Sequence, residues 1–304
     1  MQFSIVIVNW KSVAYLRDCL ASVQLYTHEL EYEVVVVDNA SGDGCGEVLA
    51  KEFPWVRFVQ SETNLGFARA NNLGARHSYG ETLCFLNPDT KILDSALEKI
   101  QAVVRTGSRP GAVGCKLLNG DGTVQTSCIQ SFPTLVNQAL DSEWIRRMTP
   151  RSELWGMAAL HQDGTETIPV QVISGACLTM DRKVFEAVGG FSEDYFMYAE
   201  DLDLCYKAAM HGCTNYYVPS ATVIHYGGGS SSQRVERAFP SVQMRESVRR
   251  FLGKFHGASY AERYRRLMGW SAQIRIGLLR LAGSDSRGSL EKWRAILVWS
   301  RESK

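Results

Sequence analysis

Asp89 ends the run Leu83-Cys-Phe-Leu-Asn-Pro-Asp89, where an apolar stretch stops abruptly. Pro88 has no N–H and biases Asn87 away from the α region, so a strand must end there and leave a carboxylate at its carboxyl end. Asp38 follows four valines and Asn9 follows Phe3-Ser-Ile-Val-Ile-Val8 in the same way. Each residue alone can be a turn former. Together they sit where open α/β sheets bind ligands. Farther on, Phe191 to Cys205 carries Glu200, Asp201 and Asp203 at the start of a helical pattern. The helix dipole alone stabilises acids in a first turn. A carboxylate after an aromatic stretch can also enter a partly desolvated pocket, where it is a better general base than in water. Glu200 and Asp203 share a helix face, and Asp201 points elsewhere. His225 closes a late strand before a glycine-serine run over 227–232.

The elements that must position these groups alternate at short spacing. Phe3 to Val8 reads as a strand buried on both faces. Leu16, Cys19, Leu20 and Val23 then fall at helical spacing. Val34 to Val37 is a second buried strand, Val48 to Phe53 a helix, Val56 to Val59 a short strand, Gly66 to His77 a helix, and Leu83 to Leu86 a fourth strand. This alternation predicts a parallel, doubly wound α/β sheet, with Asn9, Asp38 and Asn87 to Asp89 on one edge. Gly66 opens a helix whose first N–H groups can face an anion. After Ile100 the rhythm changes. Ala112 to Leu118 and the turn Asn119-Gly-Asp-Gly122 predict a hairpin returning over 124–127. Residues 130–165 read as a loop-rich insertion with a helix over 135–148. Strand character returns over 170–180, interrupted by Ser174-Gly-Ala176. Helices over 182–188 and 200–211 precede strands over 215–218 and 221–226.

Composition narrows the functional classes. The 304 residues are 45% hydrophobic and 21% charged with a net charge of +1, ordinary for a globular protein and against a dedicated nucleic-acid binder. No Gly-x-Gly-x-x-Gly follows the first strand and no Gly-Lys-Ser or Gly-Lys-Thr occurs, which argues against a dinucleotide oxidoreductase. No Ser/His/Asp or Cys/His set suggests a covalent nucleophile. The eight cysteines form no Cys-x-x-Cys pair and read as buried free thiols, suited to a reducing compartment. Neither a signal peptide nor a membrane-spanning run is evident, so a cytoplasmic protein is expected.

Charge is uneven. Residues 241–304 hold 14 Lys+Arg and 5 Asp+Glu, a net +9, which leaves −8 for the first 240. Leu267, Trp270, Ile274, Leu278 and Leu281 form one helical stripe flanked by Arg263, Arg265, Arg266, Arg275 and Arg280, and Leu290, Trp293 and Leu297 repeat the pattern. Such helices pack on the body of the protein or in a homo-oligomer, or lie on an anionic membrane surface.

In order along residues 3–232, Ser4-Ile-Val-Ile-Val-Asn-Trp10, Val-Val-Asp38-Asn-Ala-Ser, Asn64-Leu-Gly-Phe-Ala, Asn87-Pro-Asp89, Tyr198-Ala-Glu-Asp-Leu-Asp203 and His225-Tyr-Gly-Gly-Gly-Ser resemble glycosyltransferase family 2. Within it they are most similar to the rhamnosyltransferase-like branch. The resemblance implies a GT-A fold over 1–240, a Rossmann-like, mostly parallel sheet flanked by helices. Residues 1–118 would form the donor-binding part and 119–240 the acceptor side, with 241–304 a basic helical extension. It implies inverting transfer of a sugar from a nucleoside-diphosphate donor, L-rhamnose from dTDP-L-rhamnose, to a hydroxyl of a cell-surface polysaccharide or lipid-linked glycan. Asn9 and Asp38 would contact base and ribose, with Gly66, Asn71 and Asn87 shaping the nucleotide-sugar pocket. Asp89, joined by His225, would hold Mg2+ or Mn2+ against the diphosphate. Asp201 would be the catalytic base. Asn87 departs from the family pattern, which often has Asp there, and an amide brings no charge to a metal. Another donor sugar, galactofuranose or N-acetylglucosamine, and a non-catalytic nucleotide-sugar-binding subunit are the alternatives.

Overall fold

Phe3, Ile5, Val6 and Ile7 of β1 (Phe3–Asn9) have no solvent exposure, nor do Val34 to Val37 of β2 (Tyr32–Asp38). β-Branched runs of this kind suit strands covered on both faces. The computed structural model describes residues 2–162, 164–195, 197–227, 239–281 and 288–302. Its first half alternates β1, α1 (Val13–Tyr26), β2, α2 (Cys45–Glu52), β3 (Arg57–Gln60), α3 (Gly66–Arg76) and β4 (Thr82–Leu86). Then come β5 (Thr90–Ile92), α4 (Ala96–Thr106), β6 (Pro110–Leu118), β7 (Ile129–Gln130), α5 (Leu135–Leu140), α6 (Glu143–Met148), β8 (Ile168–Val170), β9 (Val172–Ile173), β10 (Cys177–Asp181), α7 (Arg182–Ala187), α8 (Glu200–Met210) and β11 (Thr214–His225). Three helices follow: α9 (Phe239–His256), α10 (Ala258–Leu281) and α11 (Ser289–Arg301).

Among the described residues the main sheet has nine strands, ordered β3-β2-β1-β4-β10-β6-β11-β5, with β8 also on β11. Strands β1 to β4 are parallel, while β10 enters antiparallel between β4 and β6. β6 and β11 resume the first direction, and β5 and β8 oppose β11. The sheet is therefore mixed but mostly parallel, as expected. β7 and β9 make a separate antiparallel pair. α3 lies so close to β1 that a Cβ on Gly74 would stand 2.3 Å from Val6 Cγ1. Only glycine permits that approach.

Three local expectations change. The predicted hairpin closes at its turn, with Asn119 N–H on Thr123 O and Gln125 N–H on Leu117 O, but its return arm makes only an isolated bridge, Leu118 to Val124. β6 already lies between β10 and β11, so its length has no open edge to offer. The helix expected over 135–148 is two, with Thr134 capping α5 and Ser142 capping α6 through Ile145 N–H. The two late strands are one, β11, with a register shift between Val218 and Thr222 where Pro219 removes a ladder donor. Gly228 to Ser232 of the glycine-serine run lie outside the described residues.

The chain divides into two compact units, 1–132 with 150–196 and 200–233, and 133–149 with 197–199 and 234–304. In the second, α10 packs against α9 and α11. Tyr264, Met268, Ala272, Phe251 and Ile296 are buried there. Arg245 reaches Gln138 Oε1 at 2.8 Å, and Arg275 donates to Asp141 O and Ala139 O while lying over Trp293. The eight cysteines are free thiols, all buried except the partly exposed Cys213. Among the described residues no helix is long and apolar enough to cross a membrane.

Candidate active site

Parallel pairing puts Asn9 beside Asp38 at the carboxyl ends of β1 and β2. Asn9 Nδ2 donates to Asp38 Oδ1 at 2.9 Å and to Ser41 Oγ at 3.1 Å. Asp38 also accepts from Ser41 N–H, the Ser41 hydroxyl and Gln60 Nε2. Burial pushes its carboxyl up, but the bonds from Ser41, Asn9 and Gln60 outweigh it and hold the group below the usual 3.8. Asp43 extends the brace by accepting from Val13 N–H and Cys45 N–H, and it shares the Ser41 hydroxyl and the Asn9 amide with Asp38. Ligand atoms of Asp38, Asp43 and Cys45 lie within 4.8 Å of one another, a spacing that could hold a cation. The two carboxylates of this cluster also make the hydrogen-bonded brace, and burial, with Asp38 and Asp43 nearby, pushes the Cys45 thiol up to about 12.

The next loop is braced by amides. Asn39 Oδ1 accepts from Leu65 N–H at 2.8 Å, and Asn64 Oδ1 accepts from Gly66 N–H at 2.9 Å. The Gly66 donor is therefore engaged inside the loop rather than turned toward an anion. Asn71 is buried on α3 and bonds back to Phe67 O. α3 contributes differently, through Asn72, whose amide pairs with both N–H and C=O of Phe191. Phe191 stacks edge-on against Phe67 and Phe85 at 5.7 and 4.7 Å, which fixes the loop leading to α8.

Asn87 and Asp89 leave β4 beside β11. β5 starts one residue after Asp89 and pairs Thr90 with His225, and Tyr226 N–H donates to Asp89 O. This register sets His225 Nε2 3.4 Å from Asp89 Oδ1 and 3.3 Å from Asn87 Nδ2. On its other side, Nδ1 faces Gln125 Oε1 at 2.8 Å. A carbonyl oxygen only accepts, so Nδ1 carries a proton, and Nε2 of the neutral ring then accepts from Asn87 Nδ2 beside the Asp89 carboxylate. An imidazole nitrogen oriented by a second residue, beside a carboxylate, is a donor pair whose chemistry suits a divalent cation.

The turn that leads into antiparallel β10 links this corner to Asp201. Asn87 N–H donates to Ala176 O, and the neighbouring Gly175 N–H donates to Asp201 Oδ2 at 2.9 Å. Asp201 Oδ1 accepts from Leu202 N–H. A Cβ on Gly175 would touch Asp201 Cβ and Phe67 Cζ, both at 3.4 Å. Burial raises the Asp201 carboxyl, and the two backbone bonds offset this only in part. Asp203, fully buried, is tied to Ser192, Tyr195 and Lys207 and anchors the first turn of α8. Tyr198 and Ala199, immediately before α8, both hold positive φ, and so do Lys11 and Ala40 beside Asn9 and Asp38. Strain in non-glycine residues persists only where surrounding contacts fix it, and it collects at functional sites.

Sequence reasoning missed Ser41, Asp43, Gln60, Gln125, Phe67 and Gly175. Ser41 and Asp43 were visible in the turn string after Asp38, and a glycine inside a strand pattern signals close approach at Gly175. Gln125 carries no local signal, since its partner lies 100 residues away.

The family model described as Glycosyl transferase family 2 matches residues 4–189, and that of Glycosyl transferase family group 2 matches 114–299. An N-acetylglucosaminyl-diphospho-decaprenol L-rhamnosyltransferase of Mycobacterium tuberculosis is 31% identical over 242 residues, 75% of this chain and 77% of the relative. Rhamnosyltransferase WbbL of Escherichia coli K12 is 22% identical over 244 residues, 77% of this chain and 87% of the relative. The solved mannosyltransferase of Pyrobaculum calidifontis, in complex with GDP-Man and Mn2+, superposes with a TM-score of 0.61 at 17% identity over 99% of this chain and 88% of that one. That likeness establishes the GT-A architecture. With the family matched over more than half its length, the chain belongs to glycosyltransferase family 2 and is a glycosyltransferase of the rhamnosyltransferase-like kind.

Proposed function

We propose that this glycosyltransferase moves L-rhamnose from dTDP-L-rhamnose to a hydroxyl of a lipid-linked glycan on the way to a cell-surface polysaccharide, at the cytoplasmic face of the membrane. The observation that carries the mechanism is Asp201, a carboxylate with a raised proton affinity, anchored through Gly175 to the strand end that bears Asn87 and Asp89. Asp201 takes the proton from the acceptor hydroxyl as that oxygen attacks the anomeric carbon. The bond to the nucleoside diphosphate breaks on the opposite face, so the configuration inverts. Asn9, Asp38, Gly66, Asn71 and Asn87 form the nucleotide-sugar side. Asp38 serves there chiefly as the centre of the brace, because four donors of the chain already occupy its oxygens. Asp89 and His225 would hold Mg2+ or Mn2+, which when bound offsets the charge that develops on the leaving diphosphate.

The choice of sugar and acceptor is supported by the mycobacterial relative, whose name specifies L-rhamnose and a decaprenol-linked acceptor. The test is nucleoside-diphosphate release with Mn2+ and a polyprenyl-diphosphate N-acetylglucosamine acceptor. dTDP-L-rhamnose should give the fastest acceptor-dependent release. Faster release from a UDP-galactofuranose or UDP-N-acetylglucosamine donor would overturn the assignment of the sugar.

A further inference from the structure

Four large apolar side chains on α10 lie in water. Trp270, Ile274, Leu278 and Leu281 are 70%, 62%, 60% and 86% exposed. Their spacings of 4, 4 and 3 put them on one face of the helix. The opposite face, Tyr264, Met268, Ala272 and Ile276, is the one buried against the rest of its unit. Leu267, grouped with the stripe by sequence, is only half-exposed. At 1.5 Å per residue the exposed stripe runs about 16 Å. Contiguous apolar surface left exposed in this way marks an interaction site. In the same unit Trp144 and Met148 of α6 are also largely exposed.

Charge says what the face meets. Arg263 and Arg266 continue the stripe toward the amino end of α10, Arg280 flanks its far end, and all three are exposed. Lys292 and Arg294 are exposed on α11. Some cations of the segment are engaged within it, since Arg265 and the exposed Arg266 both bind Glu262 and Arg275 binds backbone carbonyls. The net charge of residues 241–304 nevertheless stays at +9. We propose that this face of α10 docks on an anionic lipid bilayer, lying in the headgroup region with Trp270, Ile274, Leu278 and Leu281 inserted. The inference rests on the lipid-linked acceptor only for its biological sense, because the observations behind it are independent of the sugar transferred. A second copy of the chain suits the face less well. Four side chains cover roughly 600 Å2, short of the roughly 800 Å2 per partner of a stable interface. Two copies would also bring like charges together, whereas an anionic surface attracts them.

The experiment is co-sedimentation of the full-length protein with phosphatidylcholine vesicles, with and without phosphatidylglycerol. Trp fluorescence is read in parallel, with brominated lipid as quencher. The wild type should bind the anionic vesicles with quenching and bind the neutral ones at least tenfold more weakly. Replacing Trp270, Ile274, Leu278 and Leu281 together by Ser should reduce binding tenfold or more. Because these side chains are exposed, the melting temperature should not fall. The pair Arg263→Glu and Arg280→Glu should weaken anionic binding alone. Binding of the four-Ser variant equal to wild type, or no wild-type binding, would overturn the proposal. A wild-type dimer that the same variant dissociates, without vesicle binding, would assign the face to a second copy. Nucleoside-diphosphate release to a short-chain soluble acceptor is measured on the same preparations, so a failure of vesicle binding is distinguishable from a failure of the transferase reading.

Discussion

Asp38 and Asp201 both belong to the first unit, yet their surroundings push them in opposite directions. Around Asp38, four donors match the lone-pair sites of a carboxylate, and the charge is held against burial. Around Asp201, two backbone N–H groups oppose a larger desolvation, and the proton is held more tightly than usual. The difference teaches which acid can do chemistry. A carboxylate with all its lone pairs occupied positions a backbone. One whose charge is under-compensated gains by taking a proton, which is what a base must do.

The largest expected effect comes from breaking the Asp201 side. Asp201→Asn keeps the shape and the bond from Gly175 but cannot accept a proton, so kcat should fall about 10^2- to 10^4-fold. The KM for donor should change little, and stability should stay within about 1 kcal/mol. Steady-state nucleoside-diphosphate release measures both parameters, and near-normal kcat would remove Asp201 as the base. Asp38→Ala should show the reverse emphasis. It leaves Ser41 N–H without its acceptor and loosens Asn9 and Gln60, for a loss of about 2 kcal/mol in urea unfolding. An Asp38→Ala protein as stable as wild type would mean that the brace is idle.

The pH dependences sharpen the same contrast. Asp38 lies below 3.8 in the fold, so its contribution is complete above the unfolded value and is lost as pH falls through the folded one. Asp201 lies above 3.8, so the fold binds its proton in that window and loses stability as pH rises through it. The acid limb of kcat/KM should therefore fall above the ordinary aspartate range and vanish from the residual rate of Asp201→Asn. A limb at or below 3.8 would contradict the assignment. Farther along the same edge, Gln125→Leu removes the acceptor that sets the His225 tautomer. Mn2+ affinity, followed by titration calorimetry or electron paramagnetic resonance, should drop at least about tenfold.

The sequence was legible where burial dictates residue type. β1, β2 and β4 announce themselves as apolar runs, and their parallel order brings Asn9, Asp38 and Asn87 to one edge as expected. The antiparallel entry of β10 was not legible, because periodicity reports which face is buried and not which neighbour pairs. With β10 went Gly175, whose partner Asp201 is 26 residues away, and Ala176, whose carbonyl holds Asn87. The stripe on α10 shows the converse. Its pattern was plain in the sequence, but only the fold shows that the larger part of it faces water.

The smallest effect asked of the comparison is at Gly175, where crowding alone tunes Asp201. An added Cβ would stand 3.4 Å from Asp201 Cβ and from Phe67 Cζ and 3.5 Å from Asp201 Oδ2. These are ordinary van der Waals distances, so Gly175→Ala should fold with a change in stability under about 1 kcal/mol. The methyl also displaces water from the carboxylate, which raises its proton affinity further. The acid limb of kcat/KM should shift upward relative to wild type, with kcat down roughly threefold to tenfold from the altered placement of the base. If kcat falls while the limb stays fixed, Gly175 acts by geometry alone. If neither moves, the contact between Gly175, in the turn before β10, and Asp201 of α8 has no part in setting the reactivity of that carboxylate.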